Sequence, residues 1–263
     1  GLTGYEDTDT TVKLKTYNRF DATAFDLYNS SKTDLDWIPT QDSNLIADFD
    51  SGLEENDALG YVLNIDDLGL GSYEGIIAPG DSGGPALING NIAGIASYGT
   101  SVSTSAFSSD VTSEVDGSFG EIASWERVSY YQEWIDKTIR NNYENAPTTK
   151  TEVKQEVSEA DTYAYFMVSY TLDRNLVNDT ISVDYKTIDG TALSGSDYVQ
   201  TSGTLNLYTD ENYAIIAVEL INDNVKEDTE YFSLEISNPI NASFGNAITL
   251  TATRTITDDT VWG

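Results

Sequence analysis

Three stretches in the second half of the chain alternate apolar and polar residues with a period of two. In "YFSLEIS", Phe232, Leu234 and Ile236 fall on one side and Ser233, Glu235 and Ser237 on the other. "AIIAVELI" repeats the pattern through Ile216, Val218 and Leu220, and "DTISVDYKTI" through Ile181, Val183 and Tyr185. Such alternation puts one face of a strand in a core and the other in water, and a helix cannot satisfy it. With "TYAYFMVSYTL", "GTLNLYT", "LTATRTI" and a weaker opening strand near "TEVKQEV", the segment contains about seven short strands, as expected of a two-sheet sandwich; a closed barrel is the alternative.

The first half is also β-rich but less regular. "TVKLKTY", "GGPALING", "NIAGIASYG" and "GEIASWERV" read as strands between long loops. Asn89-Gly90 is a hairpin turn signal, because both residues tolerate positive φ. The convincing helix is "VSYYQEWIDKTIRNN", where Val128, Tyr131, Trp134, Ile135 and Ile139 recur at helical spacing and Ser129 with Gln132 can close a capping box. The extended, polar "APTT" after it reads as a linker. These features predict an all-β chain with a first domain over 1–145, a linker over 146–150 and a sandwich over 151–263.

Composition limits the chemistry. Thirteen Lys and Arg stand against 44 Asp and Glu, a formal charge of −31, so nucleic acid and anionic membranes are repelled and a cationic partner is favoured. The chain has neither Cys nor His. Thiolate sites and disulfides are therefore excluded and zinc or copper centres disfavoured, while carboxylate sites for a hard cation stay open. No apolar run approaches the roughly 20 residues of a membrane-crossing helix. A start at Gly1, with neither Met nor a leader, suggests a processed product.

Gly80-Asp81-Ser82-Gly83-Gly84-Pro85, followed by an apolar strand, by "GIASYG" and by a closing Tyr-x-x-Trp-Ile helix, resembles the C-terminal half of a chymotrypsin-like (trypsin-fold) serine protease. The resemblance implies a second β-barrel with a C-terminal helix. It makes Ser82 the nucleophile, sets the backbone N–H groups of Gly80 and Ser82 as an oxyanion hole, and gives Asp81 the ordering of that pocket. Ser97, Tyr98 and Gly99 would pair with the backbone of a protein or peptide substrate. Ile76, Ile77 and Ala78, with Ala123 and Trp125 opposite, imply an apolar specificity pocket, which "NIDDLGLG" enters as a loop.

In this family the His and Asp of the triad lie upstream, on a first barrel that this chain lacks. No motif places Lys137, Asp48 or Asp50 as a substitute base. Losing the base costs on the order of 10⁶ in turnover, so the chain alone is predicted to be inactive. Three explanations stand: a nicked product whose N-terminal fragment supplies His and Asp, a protease relic serving as a structural or adhesion module, or a piece of a longer chain.

"VSEAD", "TIDGTALSGSDYVQTSGTLNL", "INDNVKEDTEYFSLEISNP" and the closing "ITDDT" resemble a Calx-β domain, an immunoglobulin-like calcium-binding sandwich. The resemblance implies Ca²⁺ held by Glu159, Asp197, Asp223, Glu227, Asp258 and Asp259, with Asp161, Asp228 and Glu230 as rim charges. Together the two resemblances describe a secreted, bacterial serine endopeptidase half carrying a calcium module. The alternative is a non-catalytic extracellular protein that enters surface assemblies.

Overall fold

In the computed structural model the residues described are 15–112, 114–172, 179–223 and 226–258. The chain divides into two compact units, Gly1–Gln132 and Glu133–Gly263.

The alternating stretches of the second unit become strands in the expected places. β5 (Glu156–Ser158), β6 (Tyr163–Ser169), β7 (Ile181–Asp189), β8 (Ser202–Leu207), β9 (Tyr213–Glu219), β10 (Glu230–Ile240) and β11 (Leu250–Thr257) form two sheets. One runs β5-β11-β10-β7-β8 and the other pairs β6 with β9. All neighbours are antiparallel except β5 and β11. The inward residues of both sheets make one core, including Phe166, Val183, Leu207, Ile216, Val218, Phe232 and Leu234. At its centre Phe232 stacks on the fully buried Tyr198, with centroids 4.3 Å apart, and meets Phe166 edge-on at 5.8 Å. Arg254 is buried but not stranded: its guanidinium lies over the Phe166 ring and donates to the Tyr165 carbonyl at 2.7 and 3.0 Å.

In the first unit, β1 (Asn44–Asp48), β2 (Pro85–Ile88), β3 (Asn91–Ser101) and β4 (Glu121–Arg127) make an antiparallel sheet in the order β1-β4-β3-β2. Asn89 (φ 52°) and Gly90 (φ 83°) both adopt positive φ in the β2–β3 turn, as these residue types foretell. β4 is covered on both faces. Ile122 joins Leu27, Ile46, Leu59 and Val62 on one side, while Ala123 and Trp125 join Ala47 and Ala96 on the other. The four strands do not close into a barrel among the described residues, and "TVKLKTY" lies largely outside them.

Two short helices carry too few turns to show a period in the sequence. α1 (Ala24–Asn29) starts in a capping box between Thr23 and Asp26, and α2 (Ala58–Leu63) starts with Asp57 accepting from the Gly60 N–H. The helix foreseen from Val128 is a 3-10 turn over Val128–Tyr131, and α-helix α3 begins only at Gln132 and ends at Asn141. The Ser129 hydroxyl accepts from Arg127 Nε at 2.9 Å, and the 3-10 turn has no side-chain cap at Arg127. From Glu133 on, α3 lies in the second unit. There the Tyr208 hydroxyl donates to Asp136 at 2.7 Å, Arg140 donates to the Asn206 carbonyl at 3.1 Å, and Lys137 pairs with Asp210 at 2.7 Å. The helix foreseen at the end of the first domain thus begins the second unit.

Candidate functional site

One rim of the sandwich gathers acidic side chains from four separate connections. Glu159 follows β5, Asp197 lies between β7 and β8, Asp223 and Glu227 lie between β9 and β10, and Asp258 follows β11. Glu159, Asp197 and Glu227 each present an oxygen within 4.8 Å of the others. Glu159 is 6% exposed and Asp197 5%.

Local chemistry fixes the Asp197 loop. Asp197 Oδ2 accepts from the Leu193 N–H at 2.5 Å, and the Asp197 carbonyl accepts from the Ile221 N–H at 3.0 Å, tying the loop to the end of β9. The next residue, Tyr198, donates its hydroxyl to Asp189 and anchors the loop in the core. Two glycines are dictated by shape. A Cβ at Gly190 would lie 2.3 Å from the Tyr231 carbonyl oxygen, and Gly195 has φ +88°. The strings Gly-Thr-Ala and Gly-Ser-Asp-Tyr therefore record the geometry that presents Asp197.

Asp258 accepts from the Glu227 N–H at 3.1 Å, which seats it on the same rim. Burial pushes Glu159 up to about 7, and Glu227, Asp258, Asp223 and Asp197 add to the shift in that order. The foreseen carboxylates thus sense one another across the cluster, apart from Asp259, which lies outside the described residues. Burial followed by Asp197 also raises Glu230, while Asp161 pairs with Lys154 at 3.1 Å. Such a set of clustered oxygens, two residues of it buried and with no His or Cys in the chain, suits a hard divalent cation.

The residues foreseen around Ser82 form a turn stitched to β3. The Gly83 N–H donates to the Ala96 carbonyl at 2.9 Å and the Ala96 N–H to the Gly84 carbonyl at 2.8 Å. Gly80 (φ +110°) and Gly83 (φ +84°) need glycine for conformation rather than space. The Asp81 N–H donates to the Ala78 carbonyl, and Asp81 Oδ2 accepts from the Ala78 N–H at 2.9 Å. Ser82 is exposed, and no described residue hydrogen-bonds its hydroxyl.

β2 pairs with β3 only as far as Ile95, so that side of Ser97, Tyr98 and Gly99 has no strand partner among the described residues. Gly99 lies opposite Ala123 and Tyr98 opposite Ser124 on β4. Ala123 (1% exposed) and Trp125 (6%) are core residues with Ile76 and Ile77 packed on them. Ile76 and Ile77 thus lie with Ala123 and Trp125, but the latter two offer little free surface, and Ile76, Ile77 and Ala78 are only half-buried.

A third group escaped sequence reading. Asp48, Asp50 and Asp57 bring carboxylate oxygens within 4.8 Å of one another in the first unit, and all three are buried. The available signal was Asp48-Phe49-Asp50 straight after the apolar Leu45-Ile46-Ala47, which sends alternate carboxylates in one direction from the end of a core strand.

Residues 145–260 match the family model of the Calx-beta domain. The sandwich of the second unit falls within this match. Sodium/calcium exchanger 3 of Rattus norvegicus is 40% identical over 62 residues, 24% of this chain and 7% of the exchanger. Sodium/calcium exchanger 1 of Canis lupus familiaris has the same identity over the same length, covering 6% of that protein. The chain thus spans only a small fraction of the curated relatives it matches. Among solved structures, the calcium binding domain CBD12 of CALX1.1 is 29% identical, covering 41% of this chain and 44% of that one with a TM-score of 0.36. The apo-form Calx CBD1 domain is 30% identical, with coverage of 40% and 88% and a TM-score of 0.34.

Proposed function

We propose that the Calx-β domain binds Ca²⁺ through Glu159, Asp197 and Glu227, with Asp223 and Asp258 completing the oxygen set and Asp259 following in sequence. The observation that carries this reading is the meeting of three acidic oxygens within 4.8 Å from three different loops, two of them on buried side chains. Carboxylates so placed repel one another and are poorly hydrated, and a divalent cation offsets both costs. The exchanger relatives and the calcium binding domains among the similar structures support the same assignment. Thermal melting of the full chain against calcium tests it. A rise in the sandwich transition that vanishes in E159Q/D197N is expected, and no rise at millimolar calcium overturns it.

For the first unit we propose the nucleophile-bearing half of a trypsin-fold serine endopeptidase. The exposed Ser82 in Gly-Asp-Ser-Gly-Gly-Pro favours this reading, with positive φ at Gly80 and Gly83 and an unpaired β3 edge alongside. The Gly80 and Ser82 N–H groups have no hydrogen-bond partner among the described residues and are free to receive an oxyanion. Ser82 has no His among these residues to act as its base, so activity requires His and Asp supplied from outside the sequence described. The barrel fold, a peptide substrate and secretion all belong to this proposal. Fluorophosphonate labelling tests it on protein purified from its source. Labelling at Ser82 that is absent in S82A and accompanies a His-containing segment, on the same polypeptide or on a co-purifying one, is expected. Neither label nor partner would leave a non-catalytic extracellular module in its place.

A further inference from the structure

The buried Asp48, Asp50 and Asp57 lie outside both sites above. Asp48 ends β1, Asp50 follows two residues later, and Asp57 caps α2. Each carboxylate has limited protein satisfaction. Asp48 Oδ2 accepts from the Leu59 N–H at 2.7 Å, and Asp57 Oδ1 accepts from the Gly60 N–H at 2.5 Å. Asp50 is 3% exposed, and its Oδ1 is fully buried with no hydrogen-bond partner. A buried, unpartnered carboxylate oxygen is costly, and here it faces two further carboxylates. No Lys or Arg among the described residues pairs with any of the three; Arg19 is engaged with Asp67 instead.

The surroundings enclose this spot rather than open it. A Cβ at Gly69 would fall 2.8 Å from Asp50 Cβ, so the loop carrying Gly69 lies directly against Asp50. The Asp50 N–H donates to Glu74 Oε1 at 3.3 Å, which brings a fourth carboxylate to the edge.

We propose that Asp48, Asp50 and Asp57 form a second Ca²⁺ site, in the first unit and independent of the Calx-β domain. All the donors are oxygens, which selects a hard cation. Three buried carboxylates in a protein-built enclosure suit Ca²⁺, since Mg²⁺ retains several waters and is seldom held in an all-protein cage.

Calcium titration calorimetry of the full chain tests the assignment. In E159Q/D197N, which leaves these three residues intact, at least one equivalent of calcium binding remains. D50N removes one equivalent from the wild-type count. D57N weakens the same class at least tenfold while its Asn still caps α2, so the test survives if D50N does not fold. A tenfold excess of Mg²⁺ leaves this class bound to calcium. Complete loss of binding in E159Q/D197N, unchanged binding in both D50N and D57N, or full displacement by Mg²⁺ would each overturn the proposal. Failure of the Calx-β reading alone appears differently, as wild-type binding that E159Q/D197N leaves untouched.

Discussion

The two buried carboxylate clusters reach similar electrostatics by different routes. On the sandwich rim, the acids come from loops far apart in sequence, and the core beneath them sets their meeting: Tyr198, stacked on Phe232, directly follows Asp197. In the first unit, all three acids lie within one short run from Asp48 to Asp57, placed by the end of one strand and the cap of one helix. Burial raises Glu159 to about 7 in the first case and Asp48 to about 7 in the second. The difference teaches that a long-range site depends on the whole sheet packing, whereas a local one depends on two backbone junctions.

The largest expected effect breaks the sandwich side of that contrast. Phe232→Ala removes a fully buried ring that touches both Tyr198 and Phe166, and should cost about 3–5 kcal/mol by calorimetric unfolding. Because Tyr198 holds the Asp197 loop, calcium affinity should fall with it. Binding at the Asp48 group should be unchanged; a parallel loss there would erase the distinction between the clusters. Next in size, Asp197→Asn should abolish calcium stabilisation of the sandwich, worth about 2.7 kcal/mol when calcium stands at a hundredfold its Kd. Melting curves with and without calcium read this directly.

Removing charge from the local cluster should act in the opposite direction. In chelator at pH 8, Asp50→Asn relieves a buried carboxylate and should raise the stability of the first unit by roughly 1–3 kcal/mol, read by chemical denaturation. The sign follows from proton linkage. Asp48 and Asp50 have pKa values of about 7 and about 8 in the folded protein against an ordinary 3.8. The folded chain therefore keeps protons that the unfolded chain has released. The penalty is absent below about pH 4, grows as pH rises between about 4 and 8, and is complete above that range. Calcium should flatten this slope, and Asp50→Asn should reduce it without calcium.

The same contrast governs what could be read in advance. The seven strands among the described residues of the sandwich were visible because burial on one face writes alternation into residues such as Phe232, Leu234 and Ile236. The foreseen rim acids among the described residues gather on one edge, because their strings also carry Gly190 and Gly195, whose shapes are fixed by the same loop. The partition into sheets of five and two strands was not legible, since pairing is decided by partners distant in sequence. The first unit hid more. Its two short helices are six residues each, too short for a 3.6-residue period to repeat, and Asp48, Asp50 and Asp57 look like three more charges in a chain with 44 acids. Only burial separates them from the solvated majority, and burial is a property of the fold.

The smallest effects concern where the second unit begins. α3 contributes no fully buried residue, and polar contacts tie it to the rest of that unit. The part-buried Tyr208 hydroxyl bonds the charged Asp136 at 2.7 Å, and hydrogen bonds to charged groups are worth about 1.5–3 kcal/mol. Tyr208→Phe should therefore cost about 1.5 kcal/mol and hasten amide exchange in α3. The Lys137–Asp210 pair is more exposed, with side-chain exposures of 27% and 68%, and such pairs contribute about 0–1 kcal/mol. Lys137→Ala should thus shift stability by less than Tyr208→Phe, and high salt should erase most of its effect. If the lysine variant instead proved the more damaging, solvent-exposed charge rather than the buried hydroxyl would be what fixes the helix on the sandwich.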